Sequence, residues 1–384
     1  MCFEIMENFI AYNPTKVHFG RGVVNDLGKT ARRYGNRVLL MYGKGSAVKN
    51  GYYNQVKEQL VGAGLQVAEY SGVKPNPVID DVEKAADLGR RERSELIVPL
   101  GGGSVIDSAK ITALCIANDM KGWDIITGSA EPEKTLPLIA VLTLAATGTE
   151  MNGSAVVQNP KTREKLGYWN PLNFPAHSFL DPEYTYTVPE NYTAYGIADL
   201  IAHCLENFFG KGDSPLSDRF IYSIIQEALE VAPLVLKEPR NYEYRARIMW
   251  AATNALNGLT QQGKAYGDWG VHAIGHTLSF LYDTPHGATL SIAYPAWLKL
   301  HAGRIPERIT TLGKHLFGVH TPARTIEKVR KMFTSLRCPL HLSDIGIDNS
   351  QKTEIVKLMN ANRVTGRNYE LSDADHLKLV NFMM

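Results

Sequence analysis

The sequence predicts an α/β domain over residues 1-182 followed by an all-α domain over residues 183-384. Two changes of texture along the chain predict it. Between Arg37 and Thr143, short β-branched or apolar runs (Val38 to Tyr42, Gln66 to Tyr70, Glu95 to Leu100, Leu138 to Thr143) alternate with longer amphipathic segments. That alternation is the mark of a parallel, doubly wound sheet. Beyond Pro182, the segments Tyr195 to Phe209, Leu216 to Val235 and Tyr244 to Leu259 are apolar at helical spacing and nearly free of strand-like runs. Leu180-Asp181-Pro182 marks the boundary, because proline restricts the residue before it and the composition shifts there.

Length and composition agree with two cores. The chain has 384 residues, 44% hydrophobic and 21% charged, which excludes disordered and fibrous classes. Lys and Arg number 41 against 39 Asp and Glu, and no run of five like charges stands out, so there is no footprint for nucleic acid. Cys2, Cys115, Cys204 and Cys338 form no CxxC pair, which argues against a disulfide framework or a thiolate zinc site and for a reducing cytoplasm. Glu4 and Glu7 stand where a secretory signal would be basic and then apolar. The longest apolar stretch, around Leu136 to Ala146, is interrupted by Pro137 and Thr143 and is too short for a bilayer, so it reads as a buried strand and no membrane partner is expected.

Two glycine clusters follow predicted strands and precede predicted helices. Tyr42-Gly43-Lys44-Gly45-Ser46 ends the first run, and Gly101-Gly102-Gly103-Ser104 repeats the arrangement after Leu100. Glycine lets a ligand approach the backbone, and a helix N-terminus offers amide donors to an anion. Tight strand-to-helix turns also use glycine for conformation alone, but two such turns in one domain favour a phosphate-bearing ligand. Val48 breaks the GxGxxG pattern and no Walker A motif occurs, which disfavours a kinase or NTPase. The first turn carries Gly43, Lys44 and Ser46 and no acid, as expected for the 2′-phosphate of NADP rather than the ribose diol of NAD, although Lys44 pointing into solvent is the plain alternative.

In the helical half, Asp199 and His203 stand at i and i+4 on one face. His272, His276 and His286 follow, three of the chain's 11 histidines within a short span. A carboxylate with imidazoles suits a borderline divalent ion such as Fe²⁺ or Zn²⁺. Cys204 lies about 100° round the helix from His203 and is read as packing. The HxxxH pair is not the zinc-protease motif, since Ala273 follows the first histidine where that motif has Glu. Spacing leaves open which of His272 and His276 holds the ion and which carries a proton.

Taken together, Asn13 to Gly20, Tyr42 to Ser46, Val73 to Pro77, Gly101 to Lys110, Leu142 to Asn152 and both histidine segments resemble the iron-containing (group III) alcohol dehydrogenases, most closely the NADPH-dependent butanol dehydrogenase or aldehyde reductase branch. The resemblance covers nearly the whole chain. It implies a dehydroquinate-synthase-like fold with the active site between a nucleotide-binding and a helical domain. It implies Asp199, His203, His272 and His286 as metal ligands, Fe²⁺ first and Zn²⁺ second, with His276 near the substrate. It implies dinucleotide contacts at Gly43, Gly45, Ser46, Gly102, Gly103, Ser104, Asp107, Thr143, Leu144, Thr147 and Thr149, and a homodimer. Three positions depart from the family pattern: Pro99 stands in the strand before Gly101, where it removes a ladder donor and is expected to shift that turn, Thr149 replaces a commoner Ser, and Ala288-Thr289 follows Gly287, where Thr289 is expected to narrow the pocket. The segment before Met6 is an extension whose role is not legible.

The implied reaction is reversible hydride transfer between NADP(H) and a small aliphatic alcohol or aldehyde such as butanol or butanal, with the ion polarising the carbonyl and His276 supplying a proton. A glycerol-dehydrogenase-like polyol oxidoreductase, or a relative cyclising a sugar phosphate, is the alternative on the same scaffold. A non-catalytic metal or nucleotide sensor is the alternative of another class. Tyr168-Trp169 reads as packing more than as pocket lining, and His301, His315, His320 and His341 as surface or capping residues.

Overall fold

The structure, a computed structural model, describes residues 6–43 and 45–384. Lys44, which the 2′-phosphate reading invokes, lies outside the described residues, as do Cys2 and Glu4. The strands in chain order are β1 (Lys16–Phe19), β2 (Arg37–Gly43), β3 (Gln66–Val73), β4 (Leu96–Gly101), β5 (Ile139–Leu142), β6 (Ser154–Asn159), β7 (Glu164–Trp169) and β8 (His177–Leu180). Six of them form one parallel sheet in the order β1-β8-β5-β4-β2-β3, while β6 and β7 pair as an antiparallel hairpin.

The sheet is covered on both faces, as parallel sheets require. Val38 and Leu40 of β2 pack with Val56 and Leu60 of the Tyr52–Gly62 helix. Leu39 and Met41 point the other way, into a cluster with Ala85 of the Ile79–Arg91 helix and Val105, Ile106 and Ala109 of the Gly103–Asn118 helix. Alternate residues of one strand thus feed two cores, which is the period of two that a strand imposes. β4 and β5 are buried throughout, and their continuous apolar runs follow from that.

Pro99 leaves the trace that its missing N–H dictates. β4 pairs with β5 at Ile97–Leu138 and again at Leu100–Val141 and Gly101–Leu142, with the gap at Pro99. Pairing with β2 runs unbroken through Met41–Pro99, so the register is kept and the glycine turn is not displaced.

The predicted strands and helices are present with shifted ends; the three predicted helical segments are Glu190–Phe208, Pro215–Lys237 and Tyr242–Ala255, the last stopping four residues short of Leu259, and β5 is one residue shorter at each end than predicted. By contacts, the chain divides into an α/β unit of Tyr12–Val188 with Pro239–Met249, and a helical unit of the described part of the first eleven residues with Pro189–Glu238 and Trp250–Met384. The α/β unit extends past Pro182 because Tyr184 is buried in the sheet's core cluster and the Tyr52 hydroxyl donates to the Glu183 carbonyl. Met249 belongs to the same unit through the cluster on the opposite sheet face. In the helical unit, the Glu7 N–H donates to the Gly263 carbonyl at 2.9 Å. Among the described residues, no helix is long and apolar enough to cross a membrane.

Candidate active site

In an open parallel sheet, ligands bind outside the carboxyl ends of adjacent strands whose connections leave in opposite directions. β2 and β4 are such a pair: the chain leaves β2 for β3 on one side and β4 for β5 on the other. They end at Gly43 and Gly101, so both glycine clusters stand at the switch point. The Gly103–Asn118 helix starts there with Gly102 as its N-cap and no side-chain cap. Its first-turn amides are therefore not claimed by a capping side chain, and the helix dipole favours an anion.

The two turns use glycine differently. A Cβ at Gly45 would meet nothing within 4 Å, and one at Gly43 would stand 3.6 Å from the Val73 carbonyl, an ordinary contact. At Gly101, Gly102 and Gly103 a Cβ would stand 2.5 Å from Val105, 3.1 Å from Leu144 and 2.8 Å from Thr147. The second turn is thus pressed against the segment after β5, and Thr143 N–H donates to the Gly101 carbonyl at 3.0 Å. Gly102, Gly103, Thr143, Leu144 and Thr147 come together in this way, and Ser104 follows Gly103 in the first turn of the helix.

Asp107 and Thr149 turn inward instead. Thr149 Oγ1 donates to Asp107 Oδ1 at 2.6 Å, and the Val156 N–H donates to Asp107 Oδ2 at 2.9 Å. Burial raises the Asp107 carboxyl above its ordinary value, against the pull of nearby Lys110. Lys110, wholly buried, donates to Thr149 Oγ1 at 2.7 Å, to the Asn152 carbonyl at 2.8 Å, to Asn152 Oδ1 at 3.2 Å and to the Ser154 carbonyl at 2.7 Å. Sequence reading missed this lysine; its position three residues after Asp107 on a helix was the available signal. Tyr168 is half-buried against the core of the Gly103–Asn118 helix, and Trp169 is exposed, which fits packing at Tyr168.

In the helical unit, His203, His272 and His286 each bring Nε2 close to one atom, Asp199 Oδ1, at 3.6, 3.8 and 3.8 Å. These distances are too long for hydrogen bonds. They approach the separation of about 3.4 Å expected between donors placed about 2.1 Å from a tetrahedral ion. Asp199 Oδ1 and His272 Nε2 are buried and make no hydrogen bond, an expensive arrangement unless a cation joins them. Burial lowers His203 to about 4 despite Asp199, which keeps it neutral and able to ligate. Burial also works against charge on His272, but Asp199 and Glu206 outweigh it and raise the group to about 9, so an arriving ion displaces a proton there.

Local packing explains the placement. The Gly270–Tyr282 helix carries His272 and His276, and the His286–His301 helix begins at His286. A Cβ at Gly287 would strike the Tyr195 carbonyl at 2.0 Å, so glycine there lets that helix press against the Glu190–Phe208 helix. Thr289, expected to narrow a pocket, is fully buried and donates to the His286 carbonyl at 2.7 Å, so it fastens the helix start instead. His286 is the most open of the four residues, 22% exposed against 3% for Asp199. The half-buried His276 ring lies beside it at 5.2 Å between centroids and 6.4 Å from His272. Cys204 is buried, as expected of packing. His301 corrects the surface expectation: it is buried against the Trp297 and Tyr369 rings, and burial lowers it to about 4.

Glu206 was not singled out from the sequence. It continues the stripe Asp199, His203, Glu206 on one helix face, a signal that the search for metal ligands passed over. Its Oε1 accepts from His272 Nδ1 at 2.8 Å and from His272 N at 2.9 Å, and its Oε2 accepts from Trp269 N at 2.6 Å.

The donor set, its burial and its two orphaned atoms fit a divalent ion. The family model described as iron-containing alcohol dehydrogenase matches residues 14–182, and that for the C-terminal part of the Fe-containing alcohol dehydrogenase family matches residues 193–380. The chain belongs to the iron-containing alcohol dehydrogenase family. It is 39% identical to a probable NADH-dependent butanol dehydrogenase of Bacillus subtilis, covering 98% of this chain and 99% of that protein. It is 34% identical to the NADPH-dependent aldehyde reductase YqhD of Escherichia coli, covering 96% and 97%. The crystal structure of NADH-dependent butanol dehydrogenase A from Thermotoga maritima matches with a TM-score of 0.95 at 36% identity, covering 99% of each chain. Like the iron-containing alcohol dehydrogenases as a family, the chain is a metal-dependent alcohol dehydrogenase that uses a nicotinamide cofactor.

Proposed function

We propose that the enzyme reduces small aliphatic aldehydes such as butanal to alcohols with NADPH. The carrying observation is the convergence of three imidazole Nε2 atoms on Asp199 Oδ1 at ligand spacing. Asp199, His203, His272 and His286 hold the ion, Fe²⁺ ahead of Zn²⁺. When bound, the ion supplies Lewis acidity toward the substrate oxygen and the nicotinamide supplies the hydride. His276, half-buried beside the open ligand His286, carries the proton to the product oxygen. In the α/β unit, the Gly102 to Ser104 turn holds the pyrophosphate, and Gly43, Gly45 and Ser46 hold the adenosine end. Asp107 and Thr149 act from behind, by holding the segment that carries Thr147.

Support for NADPH comes from the first turn, where Gly43, Gly45 and Ser46 offer no acid. The carboxylate of Glu69, on the neighbouring strand β3, is held by the Tyr42 and Tyr53 hydroxyls and by Lys57. NADH is the second reading, favoured by the names of several relatives. A cytoplasmic homodimer is proposed with it: the described Cys115, Cys204 and Cys338 are free thiols, and β1 pairs only with β8 among the described strands.

The test is the ratio of NADPH to NADH consumption with butanal, for wild type and Gly43→Asp. The aspartate Cβ fits without a clash, and a carboxylate there favours the ribose diol over the 2′-phosphate. NADPH preference in wild type, moved toward NADH by roughly tenfold or more in the variant, is expected. Preference for NADH in wild type overturns the NADPH assignment alone, and turnover with neither nucleotide overturns the aldehyde.

A further inference from the structure

Glu206 sits three residues beyond His203 on the Glu190–Phe208 helix and is 1% exposed. A carboxylate so buried is costly unless donors meet it, and three do, all from the start of the adjacent Gly270–Tyr282 helix. That helix begins abruptly. Its N-cap is Trp269, in the left-handed region at φ 65, with no side-chain cap. Asp268 Oδ2 accepts from Gly270 N at 3.2 Å, but the Trp269 and His272 amides need an acceptor from outside the segment. Glu206 supplies it from another helix, accepting from Trp269 N and His272 N.

The same carboxylate reads the His272 ring. Because Nδ1–H donates to Glu206 Oε1, the lone pair of the neutral ring is on Nε2, the atom that stands 3.8 Å from Asp199 Oδ1. One oxygen, Oε1, binds both the backbone N–H and the ring N–H of His272, so the plane of the ring is tied to the helix that carries it. Glu206 links two of the three helices that carry the four residues, the one with Asp199 and His203 and the one with His272.

We propose that Glu206 is a positioning residue for the metal: it fixes the tautomer and orientation of His272 while capping that ligand's helix, and so sets metal affinity without touching the ion. The inference rests on the metal assignment made above. Outer partners of ligating histidines typically contribute roughly 10- to 100-fold in affinity.

The experiment compares wild type, Glu206→Gln and His272→Ala, each stripped of metal and titrated with Zn²⁺ against a chelating indicator, with the visible spectrum of the Co²⁺-loaded proteins recorded alongside. Glutamine keeps the shape but turns an NH₂ group toward one of the three donors. Zn²⁺ affinity lowered about 10- to 100-fold, with shifted Co²⁺ bands and a cooperative thermal transition retained, is the expected result. Affinity and spectrum equal to wild type in Glu206→Gln, with binding lost in His272→Ala, overturn the proposal and leave the metal assignment standing. Wild type that takes up no ion, or His272→Ala that binds as wild type does, overturns both. Should Glu206→Gln fail to fold, Glu206→Asp serves, since it keeps the charge and withdraws the acceptors by about 1.5 Å. Weakened binding in that variant supports the proposal, and unchanged binding overturns it.

Discussion

Asp199 and His276 are predicted to separate metal retention from proton transfer. Asp199 Oδ1 is the atom on which three imidazoles converge, so Asp199→Ala removes the one anionic ligand and should abolish metal retention and turnover together. His276 is neither bonded to that oxygen nor deeply buried, and its ring stands beside His286. His276→Ala is expected to keep the metal while turnover falls by about 10²- to 10⁴-fold, the usual worth of a positioned proton donor. Metal analysis beside steady-state rates checks both; metal loss in His276→Ala would mean that the two histidines have exchanged roles. At this scale the sequence was legible where side-chain type and spacing coincide, as at Asp199 and His203. It said less where a residue acts through hydrogen bonds to a distant segment: spacing puts Glu206 on the face of Asp199 and His203, but nothing in local spacing reveals its partners Trp269 and His272, more than sixty residues away.

The element that most constrains the cofactor half is the segment of residues 143–154 against the Gly103–Asn118 helix. Its hydroxyl, carbonyl and amide oxygens converge on Lys110, whose burial lowers it to about 8 while Asp107 and Glu150 hold it up. Lys110→Met would leave those acceptors without their donor and Asp107 without its nearby cation. A loss of about 3 kcal/mol in chemical denaturation is expected, with a raised KM for the nicotinamide cofactor. Stability and KM both unchanged would show that the strut is dispensable. The glycines of the second turn were legible as a loop but not in their reason, since Gly102 and Gly103 are required by Leu144 and Thr147, which come from another strand's end. Pro99 was legible in part: its missing donor shows as the gap in the β4–β5 ladder, but the shift of the turn expected from it does not occur, because pairing with β2 runs on past it.

At the scale of the whole molecule, the alternation of runs foretold the parallel sheet, and the helical texture beyond Pro182 foretold the second unit. The short strands β1 and β8 and the β6–β7 hairpin were not foretold, because four-residue strands and a half-exposed hairpin carry little periodic signal. Nor could sequence reading place Pro239–Met249 with the sheet, since that grouping depends on the burial of Met249 in a core built from distant strands. The proposed division of labour follows the same line: the α/β unit offers a switch point where a dinucleotide would lie, and the helical unit brings together Asp199, His203, His272 and His286, which would hold an ion. The claim that both serve one reaction is tested most directly by assaying butanal-dependent NADPH oxidation on metal-stripped protein before and after separate reconstitution with Fe²⁺ and Zn²⁺. Negligible activity when stripped, restored by at least one ion, is the predicted result. Full activity without metal, or none with either ion, would contradict it.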